Sequence, residues 1–311
     1  MISIAIVNWN SGPLLGRCVS SLAEHASECE IIVVDNASED GSADFLRASD
    51  HSVTLIRNSH NVGFAAAGNL AWQRSRGEWI LFLNPDIECL PGSVGRLAEP
   101  LIRDTSVWAT GGLLVDARHK PQAGYSIRRF PTIGSVAADM LLLDELWPSN
   151  PWTMQYRLAH FDPRLAADVC QPAGACLMVS KRALTTMGGF DESFRPAWFE
   201  DVDLCRRIWD SGGRIHFVPD AKFLHLGGHT LERLGREKFL KIFHANQIRY
   251  FAKHHGANQA ESVRRLVVAG LCLRAAVSLL RRSPDGGSRR SASRVFWRVA
   301  RYFGATGEGI R

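Results

Sequence analysis

Short apolar runs, each closed by polar or turn residues, dominate the first third of the chain. Ile2–Val7, Glu30–Val34, Val53–Arg57 and Trp79–Leu83 have the length and composition of buried strands. The first stops at Asn8, the second at Asp35 and the fourth at Asn84-Pro85-Asp86. Between them, Leu14–Leu22 and the Ala-rich Phe64–Arg74 read as helices. Strands alternating with helices predict an α/β fold: a mainly parallel, Rossmann-like sheet flanked by helices on both faces. Further along, Val107–Leu114, Pro172–Ser180 and Arg214–Val218 are strand-like. Lys181–Met187, Asp201–Asp210 and Leu231–Phe251 are helix-like, the second with Leu204 and Ile208 one turn apart and Gly212-Gly213 after its end. Gly112–Gln171 shows no regular pattern. Within it Arg128-Arg129-Phe130-Pro131 reads either as a solvated loop or as a segment reaching a diphosphate or an acceptor.

Charge divides the chain unequally. From His255 to Arg311 there are 11 arginines, no lysine and 3 acids, a net of +8, whereas the preceding residues sum to −2. The chain is therefore expected to form a domain over 1–255 and a basic, helical C-terminal extension over 256–311, with Ser283–Ser293 as a linker. In Ser262–Arg282, Arg274 divides the apolar run, which argues against a spanning helix. Two readings stay open for it: an amphipathic helix on an anionic membrane surface, or a helix packed on the domain. Nucleic acid is not expected as a partner, since no recognition motif accompanies the arginines. Seven scattered cysteines without a C-x-x-C pair fit reduced thiols and a cytoplasmic setting, and the membrane reading of the extension would make the chain peripheral on the inner face of the cell membrane. Met1–Val7 lacks the basic start of a signal peptide.

Four segments carry candidate chemistry. Ligands of open α/β sheets bind beyond the carboxyl ends of the strands, where Asp35 and Asp86 are expected. No G-x-G-x-x-G follows the first strand, which excludes a nicotinamide-type fingerprint. Asn84-Pro85-Asp86 offers two oxygen-bearing side chains suited to Mg²⁺ or Mn²⁺ with a diphosphate, or simply an Asx-Pro turn. Asp35–Ser42 reads as a loop whose Ser38 or Asp40 caps the next helix, which leaves Asp35 itself unexplained. Phe199-Glu200-Asp201-Val202-Asp203 gathers three acids at a helix start, more than a cap requires. His225 precedes Gly227-Gly228, which makes a helical zinc pair with His229 improbable.

In order and spacing these pieces resemble the family 2 glycosyltransferases of GT-A fold, and within them the bacterial rhamnosyltransferase-like branch. The matching segments are Ile6–Asn10, Val33–Ser38, Asn61–Asn69, Leu83–Asp86, Gly174–Met178, Gly189–Phe194, Phe199–Leu204 and His225–Gly228. The resemblance implies that Val7, Asn8, Asn10, Asp35, Gly63, Phe64, Asn69, Asn84 and Asp86 bind the nucleotide sugar, Asp35 meeting the pyrimidine edge. Asp86 and His225 would hold the divalent cation, Mg²⁺ or Mn²⁺. Gly174, Trp198 and Glu200 would face the acceptor, and Asp201 would be the general base. Asn84 stands where the family's D-x-D motif often has its first Asp, a form common in the rhamnosyltransferase-like branch.

The implied activity is inverting, metal-dependent transfer of a sugar from dTDP-rhamnose or a UDP-sugar to an acceptor hydroxyl. The acceptor would be a glycan or lipid-linked glycan in cell-surface polysaccharide or glycolipid assembly. A nucleotidyltransferase is the competing enzyme class, and it lacks its glycine-rich phosphate loop here. A nucleotide-sugar-binding protein without catalysis is the other alternative.

Overall fold

The computed structural model describes residues 1–47, 53–122, 124–227, 234–280 and 289–305. The chain divides into two compact units, Met1–Phe130 with Arg157–Gly228, and Pro131–Tyr156 with His229–Arg311. The boundary expected at 255 thus falls inside the second unit.

The first unit is built on strands β1 (Ile2–Asn8), β2 (Glu30–Asp35), β3 (Val53–Arg57), β4 (Trp79–Leu83), β5 (Ile87–Cys89), β6 (Val107–Val115), β7 (Ile127–Arg128), β8 (Ala167–Asp168), β9 (Gln171–Pro172), β10 (Cys176–Ser180) and β11 (Arg214–His225). The main sheet runs in the order β3-β2-β1-β4-β10-β6-β11-β5, with β8 beside β11. β3, β2, β1 and β4 pair in parallel, and β11 pairs in parallel with β6. β10 is antiparallel to both its neighbours, so its N-terminal end lies at the carboxyl edge of the others. The fold is the GT-A arrangement, a mostly parallel sheet between helices.

Alternation along each strand sends residues to two separate cores. Ile4, Ile6, Ile31, Val33, Leu81 and Met178 pack with Leu15, Val19 and Leu22 of α1 (Leu14–His25). Ala5, Val7, Ile32, Val34, Phe82 and Leu177 pack with Ala65, Ala67 and Ala71 of α2 (Phe64–Arg74) on the opposite face. Both faces are covered, which explains why these strands read as continuous apolar runs. α3 (Ser93–Arg103) carries Pro100 within it and had no counterpart in the sequence pattern. β11 runs well beyond the expected Val218. Its pairing with β6 shifts register between Val218 and Lys222, and that irregularity admits Pro219.

The second unit is helical: α4 (Ile133–Met140), α5 (Leu143–Leu146) and α6 (Pro151–Tyr156) precede the first unit's α7 (Lys181–Met187) and α8 (Glu200–Asp210) in the chain. α9 (Arg236–His255), α10 (Ala257–Leu280) and α11 (Arg289–Ala305) complete it. α10 packs on α4, α9 and α11. At their contact Gly270 is required, because a Cβ there would stand 2.6 Å from the Met140 carbonyl oxygen. Arg274 donates to the Met140 and Asp139 carbonyls at 2.6 and 2.8 Å. No helix among the described residues is long and apolar enough to cross a membrane. Of the expected linker, residues 283–288 lie outside the described residues, as does His229, while residues 289–293 are not linker but the first turns of α11.

Candidate active site

Parallel pairing lines up Asn8 and Asp35 as register partners at the carboxyl ends of β1 and β2. Both are buried. The Asn8 amide donates to Asp35 Oδ1 at 3.0 Å and also lies within reach of Ser38 and Ser42. Ser38 Oγ accepts from the Asn10 backbone, and Asn10 Oδ1 accepts from the Glu39 backbone at 2.7 Å. The loop after β1 is thereby stitched to the loop after β2. Ser38 and Asp40 serve this seam, Asp40 accepting from the Gly12 and Ser42 amides. Val7 ends its run in the apolar core beside them.

Asn36 was not singled out from the sequence, yet it is buried and organises the next loop. Its amide donates to Asn61 Oδ1, and its carbonyl accepts from Asn58 and the Val62 backbone. Gly63 follows with φ of +89°, where a Cβ would stand 3.0 Å from the Pro196 carbonyl oxygen. The Phe64 amide donates to that same oxygen at 2.7 Å, and the Phe64 ring meets Phe190 edge-on. Asn69 departs from the nucleotide-binding role expected of it. Its amide donates to the Phe190 carbonyl and Glu192, and its oxygen accepts from the Phe190 amide and Trp72 Nε1. All four hydrogen-bonding positions are taken, so Asn69 clasps the 189–192 turn and has none left for a ligand.

That turn leads into the acidic helix. Trp198 and Phe199 both take left-handed backbone angles, φ of +74° and +75°, just before α8. Such angles cost a non-glycine residue about 1–3 kcal/mol each and persist only where surrounding contacts fix them. The three acids of α8 then separate by environment. Asp203 is fully buried and paired with Arg207 at 2.7 Å, a structural role. Asp201 accepts from the Gly174 amide at 3.0 Å and the Val202 amide at 2.9 Å. A Cβ on Gly174 would fall 2.6 Å from Asp201 Oδ2, so only glycine lets that strand end approach. Burial raises the Asp201 carboxyl above its ordinary range, opposed by the two amides and by Arg128. Glu200 is pushed well above its range by burial and by the Asp201 charge, and its Oε2 has no hydrogen-bond partner among the described residues.

A second cluster forms where β5 meets the end of β11. His225 stands opposite Ile87 in that antiparallel pair, which carries Asp86 to the histidine. His225 Nε2 and Asp86 Oδ2 face each other at 3.6 Å, and Asp86 Oδ1 is buried with no hydrogen-bond partner among the described residues. Gln122, in the stretch without sequence pattern, fixes the proton arrangement. Its amide nitrogen donates to the His225 carbonyl at 3.1 Å, so its oxygen is the atom 2.7 Å from Nδ1. Nδ1 is therefore the donor, which leaves Nε2 as the ring nitrogen available to a ligand. Two acceptors facing one another beyond hydrogen-bonding distance make a fit for a cation: donors about 2.1 Å from a shared ion stand about 3–4 Å apart. Among the described residues no third His, Cys, Asp or Glu completes a cage. The Asn84 backbone amide donates to the Ala175 carbonyl at 2.9 Å, which ties the Asn84-Pro85-Asp86 turn to the Gly174 strand end.

Tyr125 stacks on His225, ring centroids 5.0 Å apart and planes within 18°, and Arg128 lies 5.3 Å over the Tyr125 ring. Burial, then the charges of Asp86 and Asp201, raises the Tyr125 phenol, while Arg128 lowers it. Tyr125 thus senses both carboxylates.

The amino-acid sequence matches the model for glycosyl transferase family 2 over residues 3–157 and that for the N-terminal domain of galactosyltransferase over residues 153–230. The chain belongs to family 2. This family 2 glycosyltransferase is 28% identical over 304 residues to N-acetylglucosaminyl-diphospho-decaprenol L-rhamnosyltransferase of Mycobacterium tuberculosis, a match covering 91% of this chain and 95% of that one. It is 25% identical over 264 residues to rhamnosyltransferase WbbL of Escherichia coli, covering 81% and 93%. Among solved structures it resembles GalNAc-T7 with UDP, GalNAc and Mn²⁺ (TM-score 0.60, 15% identity, 99% of this chain and 56% of that one). It also resembles the mannosyltransferase PcManGT of Pyrobaculum calidifontis with GDP-Man and Mn²⁺ (TM-score 0.56, 16% identity, covering 97% and 86%).

Proposed function

We propose that this glycosyltransferase is inverting and metal-assisted, moving rhamnose from dTDP-rhamnose onto a hydroxyl of a diphosphate-linked lipid glycan, with a UDP-sugar as the alternative donor. The reading rests above all on the facing pair of His225 Nε2 and Asp86 Oδ2, 3.6 Å apart with the histidine lone pair turned inward. These residues would hold Mg²⁺ or Mn²⁺, which when bound offsets the charge that collects on a departing nucleoside diphosphate. The presence of Mn²⁺ beside nucleotides in GalNAc-T7 and PcManGT supports the same reading. Asp35 presents a carboxylate to the base, held in place by the Asn8 amide, with Gly63-Phe64 and Asn84 bordering the pocket.

Asp201 takes the acceptor proton. A base works best with its pKa near the operating pH, and burial moves this carboxyl in that direction. Gly174 and Val202 hold both of its oxygens in place. Trp198 and Glu200 flank it on the acceptor side. Because Asp203 is committed to Arg207, only Asp201 and Glu200 remain for proton transfer, and one displacement with one base inverts the anomeric carbon. The lipid-linked acceptor and the cell-surface role follow the rhamnosyltransferase relatives.

The deciding experiment supplies an N-acetylglucosaminyl-diphospho-polyprenol acceptor with a panel of dTDP- and UDP-sugars, with Mn²⁺, with Mg²⁺ and with EDTA. Transfer from one donor, lost in EDTA and giving a product of inverted anomeric configuration by NMR, is the expected result. Undiminished transfer in excess EDTA would refute the metal role, and retained configuration would refute the single displacement.

A further inference from the structure

The sequence left Ser262–Arg282 open between a membrane-surface helix and a packed one, and the three arginines of α10 all have partners within the helical unit. Arg264 binds Glu261 and the Phe303 carbonyl, Arg265 binds Glu261, and Arg274 binds Asp139 and Met140. α11 is different. Its apolar residues Phe296, Val299, Ala300 and Phe303 are buried, so this helix has no greasy face to insert. What it exposes is Arg290, Arg294, Trp297, Arg298 and Arg301, at spacings of four, three, one and three residues, which form one stripe along the helix. Trp297 is 53% exposed and Tyr302 lies at the edge of the same stripe. α11 contains no acidic residue. Arg298 meets Glu237 at 3.1 Å, while Arg290, Arg294 and Arg301 have no carboxylate partner among the described residues. Beside the stripe, a groove of about 380 Å³ between α10 and α11 is lined by Val268, Cys272, Trp297, Ala300, Arg301 and Gly304.

We infer that this face of α11 docks on an anionic lipid bilayer at headgroup depth. Guanidinium groups meet lipid phosphates, Trp297 sits at the interface between headgroups and acyl chains, and the groove receives apolar surface beside it. Charge complementarity selects the occupant, and the exposed indole with its apolar groove favours lipid over nucleic acid. A single phosphate-binding surface would not need Trp297 in the open. The buried apolar face sets the depth: the helix stays folded on its unit, and only Trp297 reaches the boundary of the acyl chains. This inference stands apart from the transfer reaction and survives any result on donor or metal.

The test uses the full-length protein and sedimentation with vesicles of phosphatidylcholine alone or with about one-third phosphatidylglycerol. The wild type is expected to bind only the anionic vesicles, less tightly as salt rises. Each arginine near an anionic surface contributes about fivefold to the partition coefficient. The combined variant Arg290→Gln, Arg294→Gln, Arg301→Gln should therefore bind about 100-fold more weakly. Arg74→Gln, Arg103→Gln, Arg118→Gln removes equal charge from exposed positions of the first unit and should bind like wild type. Trp297→Ser should abolish the blue shift of tryptophan fluorescence that anionic vesicles induce in the wild type. Circular dichroism confirms that each variant is folded. Wild-type protein that ignores anionic vesicles at low salt, equal losses in the two triple variants, or binding to single-stranded RNA in place of vesicles would each overturn the inference.

Discussion

Gln122→Leu tests the site where the structure adds most to the sequence. Gln122 makes two hydrogen bonds to His225, at 2.7 Å to Nδ1 and 3.1 Å to the backbone carbonyl. Leucine preserves bulk and removes both. Each is worth about 0.5–1.5 kcal/mol net, so about 1–3 kcal/mol of ring orientation and tautomer preference is lost. Much of that should appear in cation affinity, since the imidazole must then turn its lone pair toward Asp86 without help. Loss of such a partner typically weakens a metal site 10–100-fold, or about 1.4–2.7 kcal/mol. The assay is Mn²⁺ titration in the presence of dTDP, with free Mn²⁺ read by electron paramagnetic resonance. Gln122→Glu keeps an acceptor for Nδ1 and should restore most of the affinity, whereas His225→Ala and Asp86→Ala should abolish it. If Gln122→Leu binds Mn²⁺ as the wild type does while His225→Ala does not, the tautomer argument is wrong. If the wild type binds none, the metal reading itself fails.

Four further outcomes follow from the structure. Asp201→Asn keeps shape and removes the base, so turnover should fall about 10²–10⁴-fold with dTDP affinity unchanged; near-normal turnover would remove Asp201 from the reaction. In the wild type, the acidic limb of the kcat–pH profile should lie above the ordinary aspartate range of about 3.9, because burial raises this carboxyl. Glu200 binds its proton more tightly folded than unfolded, so its contribution is complete below about pH 4.3. It is lost as pH rises toward the raised value, by about 1.4 kcal/mol per pH unit while that window lasts. Chemical denaturation across pH should show that slope in the wild type and not in Glu200→Gln. Asp35→Ala should weaken donor binding by about 1.5–3 kcal/mol in calorimetric titration, and an unchanged dissociation constant would place the base elsewhere.

Local pattern determined the elements with the strongest burial. Strands that lie between two covered faces must be apolar throughout, so β1, β2 and β4 announced themselves, as did the polar residues that close them and the glycine-punctuated helix carrying Asp201. The order of the short motifs also carried the family and the fold. Local pattern could not determine which of Glu200, Asp201 and Asp203 is free for chemistry. That depends on Arg207 reaching Asp203 and on the Gly174 strand end reaching Asp201. Nor could it separate Asn69, a clasp on the 189–192 turn, from Asn8, which holds Asp35 at the strand ends, since both are asparagines beside apolar runs. Asp86 and His225 meet only because β5 pairs with the far end of β11 across the sheet edge. Gln122 enters from a stretch with no periodicity, because a residue that serves by one long-range contact leaves no repeating mark in its neighbours. The tail shows the same limit: composition gave its charge, but packing decided which arginines reach partners across the unit, as Arg264 and Arg274 do on α10, and which face outward, as Arg290, Arg294 and Arg301 do on α11. Charge is a property of the residues, whereas exposure belongs to the assembled helices.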